Sequence, residues 1–174
     1  MQKTQIDKLL FIATLLMLTS CGQSTDSKIA ARKPPIPQAA LEGAQASDQA
    51  VAFINAYVAN CNKKKGAVEI AQWVDSYKLT TTRFKTELKK LLADAYREDP
   101  ELGLDADPIV DAQDYPDKGF ELDSFDGQTN YVIVKGKNWP DFKLTMKMVL
   151  ENNNWLVDGC GIINMPVTKR ITRK

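Results

Sequence analysis

Histidine is absent from all 174 residues, which excludes His-based nucleophile triads, His-ligated zinc and the side chain that most often serves as general base near neutral pH. Also missing are a glycine-rich phosphate loop, a dinucleotide-binding fingerprint and a nucleophile elbow. An enzyme built from this chain would have to work with carboxylates, Lys, Tyr or a hydroxyl; a non-catalytic role is expected, and no motif calls for a cofactor or a bound metal. Charge of one sign is not in excess either, with 23 Lys and Arg against 22 Asp and Glu. So even a balance lacks the basic footprint of a nucleic-acid binder, and no nucleic-acid partner is expected. Only three cysteines occur, Cys21, Cys61 and Cys160.

A long hydrophobic run is the last absence. The most apolar stretch, residues 9–18, follows Lys3 and Lys8 and gives way to small and polar residues that end at Cys21. Some ten residues of helix rise about 15 Å, half of the roughly 30 Å of hydrocarbon in a bilayer, so the segment reads as an export signal and not as a span. Its end, Leu18-Thr19-Ser20-Cys21, resembles the lipobox at which lipoprotein signal peptidase cuts. The resemblance implies that residues 1–20 are removed and that Cys21 is acylated as the new N-terminus. Three acyl chains exceed the two that stable anchoring needs, at about 0.8 kcal/mol per buried methylene. Removal of residues 1–20 takes Lys3, Lys8 and Asp7, which leaves 21 basic and 21 acidic residues.

Residues 21–46 are rich in Gln, Ser, Ala and Pro, show no clear period of 2 or 3.6, and read as a lipidated N-terminus with a flexible linker. An α+β domain is expected over residues 47–166, followed by a basic tail at 167–174. A first helix is expected with Ser47 as N-cap, carrying Val51, Ile54, Tyr57, Val58 and Cys61 on one face up to about residue 60. A shorter one spans about 67–76. A third starts after Thr80 or Thr81, keeps Phe84, Leu88, Leu91, Leu92 and Ala95 at helical spacing, and stops at Asp99-Pro100.

Strands follow the helices. Residues 120–125 lead into Asp126-Gly127, a hairpin signal, and then into Tyr131-Val132-Ile133-Val134. Phe142, Leu144, Met146, Met148 and Leu150 alternate with Lys143, Thr145, Lys147 and Val149, as a half-buried antiparallel strand requires. Asn152-Asn153-Asn154 turns the chain into a last strand that begins at Trp155. The expected fold is α+β: three N-terminal helices on one face of an antiparallel sheet of three to four strands.

One charge feature stands out within this neutral chain. Residues 98–126 hold eleven acids and a single base, Lys118. Oxygen-rich clusters of this kind can hold calcium, but the EF-hand pattern fails, because Asp105-x-Asp107 runs into Pro108 and lacks the loop glycine. A solvated acidic loop with Asp side chains capping turns is the expectation. Trp73, Trp139 and Trp155 are expected to pack in the core or at its edge.

Three helices followed by a sheet that ends in Asn154-Trp155-Leu156-Val157-Asp158-Gly159 resemble the nuclear-transport-factor-two-like, or cystatin-like, fold. Leu79-Thr80, Asp107-Pro108-Ile109, Ala112-Gln113-Asp114-Tyr115-Pro116 and the terminal Trp strand together resemble a family of envelope lipoproteins that carry a domain of unknown function. The match covers roughly residues 48–165. It implies that Asp107, Asp111, Gln113 and Asp114 stand at the mouth of the cone such folds enclose, where they would meet a small polar ligand or a partner protein. The expected function is therefore binding, by a lipoprotein held through its lipid at the periplasmic side of the outer membrane. Gly22 is not the aspartate that marks inner-membrane retention, and the tract after Cys21 lacks the acidic run that accompanies surface display. Two alternatives are a carboxylate-based, metal- or ligand-dependent enzyme using Asp107, Asp111 and Asp114, and an immunity lipoprotein that neutralises a toxin.

The exported location also bears on the cysteines. With Cys21 acylated, Cys61 and Cys160 remain in an oxidising compartment, and a disulfide between them is expected. Strand parity aligns Cys160 with Leu156 and Ile162, which would turn its thiol toward the helix that bears Cys61.

Overall fold

The computed structural model describes residues 37–172. Cys21 and the lipobox lie outside the described residues, as does the first of the two units into which the chain divides, Met1–Pro34; all that follows concerns the second, Pro35–Lys174. Three helices, α1 (Gln38–Cys61), α2 (Ile70–Ser76) and α3 (Thr82–Glu98), precede four strands: β1 (Phe120–Asp126), β2 (Tyr131–Gly136), β3 (Lys143–Glu151) and β4 (Asn154–Cys160). The strands form one antiparallel sheet in the order β1-β2-β3-β4. A 3-10 turn, Val167–Lys169, closes the described chain.

The helix α1 begins well before Ser47, which corrects the reading of residues 38–46 as linker. Its N-cap is Pro37, whose side chain can make no capping bond. Ser47 sits inside the helix and donates its hydroxyl to the Gly43 carbonyl one turn back, 2.9 Å away, a use open to serine in mid-helix as well as at a cap. By contrast α3 starts as expected. The Thr81 hydroxyl accepts from the Phe84 amide at 3.0 Å, and the helix ends at Asp99 ahead of Pro100.

α1 lies against all four strands. Ala50, Phe53, Ile54, Tyr57 and Val58 bury its inner face against Val132, Val134, Leu144, Met146 and Met148, each large side chain contributing about 1.5–3 kcal/mol through removal from water. Phe53 meets the rings of Trp73, Tyr77 and Phe84 edge-on at 5.3–5.8 Å between centroids. One aromatic cluster thus joins the three helices, at about 0.5–1.5 kcal/mol per pair beyond burial. Of the other two tryptophans, Trp155 is buried in the core and Trp139 is half exposed against Phe142.

The hairpins differ in detail. Asn152 and Asn153, at φ 49° and 61°, make the two-residue turn between β3 and β4, where positive φ matches the strand twist. Between β1 and β2 the connection is longer than Asp126-Gly127 suggests. It spans residues 127–130, with Asn130 left-handed and Asp126 accepting from the Gln128 amide and the Thr129 hydroxyl.

A bulge changes the parity of β4. The register slips between Lys147 and Met148, so Val157 and Cys160 are both buried while Leu156 is half-buried. An extra residue in a ladder does this to every position beyond it. The end of β4 is tied to the helices through Arg83 and Asp158. Asp158, 5% exposed, accepts from the Thr81 hydroxyl at 2.9 Å and from Arg83 Nε at 3.1 Å, with a further short contact from Arg83 Nη2. Main-chain bonds from Thr81 to Val157 and from Val157 to Leu79 run alongside.

Candidate functional site

A groove of about 340 Å³ opens between the ends of the helices and the connection over residues 99–113. Ile70, Leu92, Tyr96, Leu102, Leu104 and Pro108 form its apolar walls, with Tyr57, Asp105, Asp107 and Gln113 among them. Leu102 is 71% exposed and Tyr96 57%. Both belong to a segment crowded with carboxylates, since Glu98, Asp99, Glu101 and Asp105 flank them in the chain.

Asp107 organises the wall of this groove. Its Oδ1 accepts from the Ile109 and Val110 amides at 2.8 and 3.2 Å, its own amide donates to the Ala112 carbonyl at 3.1 Å, and Oδ2 accepts a short hydrogen bond from the Tyr57 hydroxyl. An aspartate ahead of proline that bonds amides two and three residues on is the capping role expected for this loop. Burial, followed by the nearby Asp107 carboxylate, pushes the Tyr57 phenol far above its ordinary value. Burial likewise pushes the Cys61 thiol up. Asp107 thus accepts three hydrogen bonds from within the protein and ties Tyr57 of α1 to the loop over residues 107–110.

The four residues singled out in the sequence are only partly brought together. Asp107 and Gln113 share the groove, Gln113 donating to the Asp105 carbonyl at 3.1 Å. Asp111, at φ 53°, faces a separate hollow with Val167, Arg170, Ile171 and Thr172. Asp114 is exposed and lines neither. Among the described residues no group of three or more His, Cys, Asp or Glu side chains is placed to hold a metal ion. Tyr57, Tyr96, Leu102 and Leu104 were legible only as helix or loop residues. The one available signal was Tyr57 on the core face of α1, because a buried tyrosine hydroxyl needs a partner.

No disulfide joins Cys61 to Cys160, contrary to expectation. The Cys61 thiol interacts with the Tyr57 hydroxyl one turn earlier on α1, whereas Cys160 Sγ donates to the Ile109 carbonyl at 3.3 Å. The segment 107–109 thus supplies neighbours to both sulfurs. Gly161 explains how it fits so closely. At φ 58° it lies against the Pro108 and Ile109 carbonyls, where a Cβ would collide with main chain.

The C-terminal segment, expected as a basic tail, crosses the other face of the sheet. Arg170 donates to the Ile162 and Met165 carbonyls at 3.2 and 3.1 Å, and Lys169 stands 5.2 Å above the Tyr131 ring. On that same face Lys143 pairs with Asp123 at 2.8 Å, which holds the Asp123 carboxyl below its ordinary value. Lys135 bridges Glu121 and Asp123 at 3.6 and 3.8 Å. Opposite charges on neighbouring strands stabilise pairing modestly.

Comparison of the chain with protein-family models, with curated proteins and with solved structures finds no match. No helix among the described residues is long and apolar enough to cross a membrane.

Proposed function

We propose that the protein is a lipid-anchored envelope protein with a binding domain. In this reading Cys21 carries the lipid, and the domain, of the nuclear-transport-factor-two-like type, stands at the periplasmic side of the outer membrane. The three helices preceding a four-stranded antiparallel meander support the fold assignment. The observation that carries binding over catalysis is the groove beside Asp107. Exposed Leu102 and Tyr96 stand at its mouth, while its innermost polar pair, Tyr57 and Asp107, is already hydrogen-bonded within the protein. Such a site recognises a surface with an apolar centre and hydrogen-bond donors or cations around it, complementary to the exposed Asp105 and to Glu98 and Glu101. Both a partner protein and a small polar ligand present such a surface.

A photoreactive side chain placed at exposed Gln113 in intact cells tests this. One discrete envelope product is expected, and Leu102→Asp should abolish it while the protein stays folded. A product that persists in Leu102→Asp, or no product at all, would contradict binding through this groove.

A further inference from the structure

Asn55 and the first residue of β1 form an unusual pair. Asn55 Nδ2 donates to the Phe120 carbonyl at 2.9 Å and its Oδ1 accepts from the Phe120 amide at 2.7 Å. Both main-chain groups of Phe120 therefore turn away from β2, and the side-chain amide of α1 occupies the place of a neighbouring strand. In an antiparallel ladder the hydrogen-bonding direction alternates residue by residue. Glu121 faces β2, and the N–H and C=O of Leu122 face the same outer side as those of Phe120. Beyond Leu122 the ladder bulges, and β1 is the edge of the sheet among the described residues. Asn55 caps the edge for one residue only.

Beside the uncapped part runs a hollow of about 350 Å³ between β1 and the N-terminal half of α1. Leu122, 44% exposed, and Phe125 make one side of it, with Ala40, Gly43 and Ala44 on the other. Gly43 lets the helix close on the Phe125 ring, since a Cβ there would stand 2.7 Å from it. Between the contacts at Phe120 and Phe125 the small residues of α1 leave the hollow open beside Leu122. Exposed edge strands with apolar side chains are the surfaces to which extended peptides add.

Charge decides between occupants. α1 and β1 carry no Lys or Arg; Glu121 and Asp123 are paired with Lys135 and Lys143 across the sheet, which leaves Glu42 and Asp48 of α1, the latter in the wall of the hollow, and Asp126 at the end of β1. A second copy would bring the same acids to the same edge, and like charges placed opposite one another are unfavourable. An extended segment with basic residues on its outer face and apolar ones toward Leu122 and Phe125 is complementary. From an edge that no described strand pairs, the hollow and this balance, we propose that β1 and the N-terminal half of α1 dock an extended, lysine- or arginine-bearing segment of a partner protein by strand addition. The surface is separate from the groove beside Asp107 and does not depend on it.

Synthetic peptides of about eight residues, alternating Val with Lys or Val with Glu, test the proposal on the full chain in detergent. The Val-Lys peptide is expected to bind, to slow hydrogen exchange at the Leu122 amide, and to weaken with salt. The Val-Glu peptide, and a Val-Lys peptide N-methylated at alternate residues, should bind about tenfold or more weakly. Ala44→Trp, which fills the hollow from an exposed helix position, should weaken binding similarly, and Leu122→Arg is the second variant should the first not fold. Equal binding of the Lys and Glu peptides, indifference to N-methylation, or protection away from β1 would each overturn strand addition. Self-association that covers Leu122 would overturn the choice of occupant.

Discussion

Asp158 and Asp107 are the residues on which local order depends most, and they differ in what losing a partner costs. Asp158 is almost wholly buried and holds Thr81 and Arg83, so Asp158→Ala strands the Thr81 hydroxyl and undoes the tie between α3 and β4. A loss of about 2 kcal/mol is expected. Arg83→Ala should cost less than about 1 kcal/mol, because the Arg83 side chain is largely exposed and water takes over part of its role. Urea melts of both variants check the order, and a larger loss for Arg83→Ala would contradict it. Tyr57 carries a pH signature. Folding favours its protonated ring, through burial first and Asp107 second. The unfolded chain releases that proton as pH rises past about 10, whereas the folded chain keeps it, so this contribution to stability is complete below that pH and is lost above it. Tyr57→Phe should flatten the fall in stability between about pH 9 and about pH 11 and cost about 1 kcal/mol at neutral pH. Melts with equal pH dependence in both proteins would refute this assignment. Neither side chain's partner was legible in advance, because Tyr57 and Asp107 are fifty positions apart and no local pattern pairs them. The turn-capping half of the Asp107 role was legible, since an aspartate before proline states it locally.

Among the elements, what could be read from the sequence depended on how strongly a local pattern opposes the alternatives. The parity of β3 could be read up to Met148, because alternation of apolar and polar side chains over one buried face fixes it, although Thr145 on the opposite face is buried as well. Leu150 departs from it and is largely exposed near the hairpin end. The start of α1 was illegible for the opposite reason. Gln38 to Ala46 is mostly Ala, Gly and Gln, with too little apolar contrast to set a face, and Pro37 supplies no capping side chain. Ser47 and Asp48 imitate an N-terminus in the middle of the helix. The parity of β4 beyond Val157 was equally hidden, because one bulge is invisible to a period-2 count. The α1 boundary has a direct test. Gln38→Pro, at the first helical position, should change stability by less than about 0.5 kcal/mol, and Ala44→Pro should cost about 3 kcal/mol or more. Equal, small effects at both positions would return residues 38–46 to a linker. The acidic connection is also an element-scale matter, since its carboxylates cap their own turns. Asp99 accepts from the Glu101 and Leu102 amides and Asp107 from those of Ile109 and Val110, while Asp117 accepts from the Asn138 side chain of the β2–β3 connection. Calorimetry is expected to show no calcium binding tighter than about 10⁻⁵ M; tighter binding would mean that these carboxylates converge on an ion.

At the scale of the domain, the α+β fold presents three distinct surfaces: an apolar groove with acidic surroundings beside Asp107, an edge along β1 that no described strand pairs, and a charged sheet face crossed by the C-terminal segment. Two of the three expose apolar side chains among carboxylates. That distribution suits a protein that is held in place and meets others. In the proposed function the holding would depend on one atom, the Cys21 sulfur, because only a thiol accepts the diacylglycerol that precedes cleavage of a lipoprotein signal. Intact-mass spectrometry of the protein extracted from membranes, with sequencing of its N-terminal peptide, tests the proposed function most directly. The predicted result is a mature chain that begins at Cys21 and carries diacylglycerol and an N-acyl group, while Cys21→Ala accumulates as unprocessed precursor. A mature, unlipidated chain beginning at any other residue would contradict it.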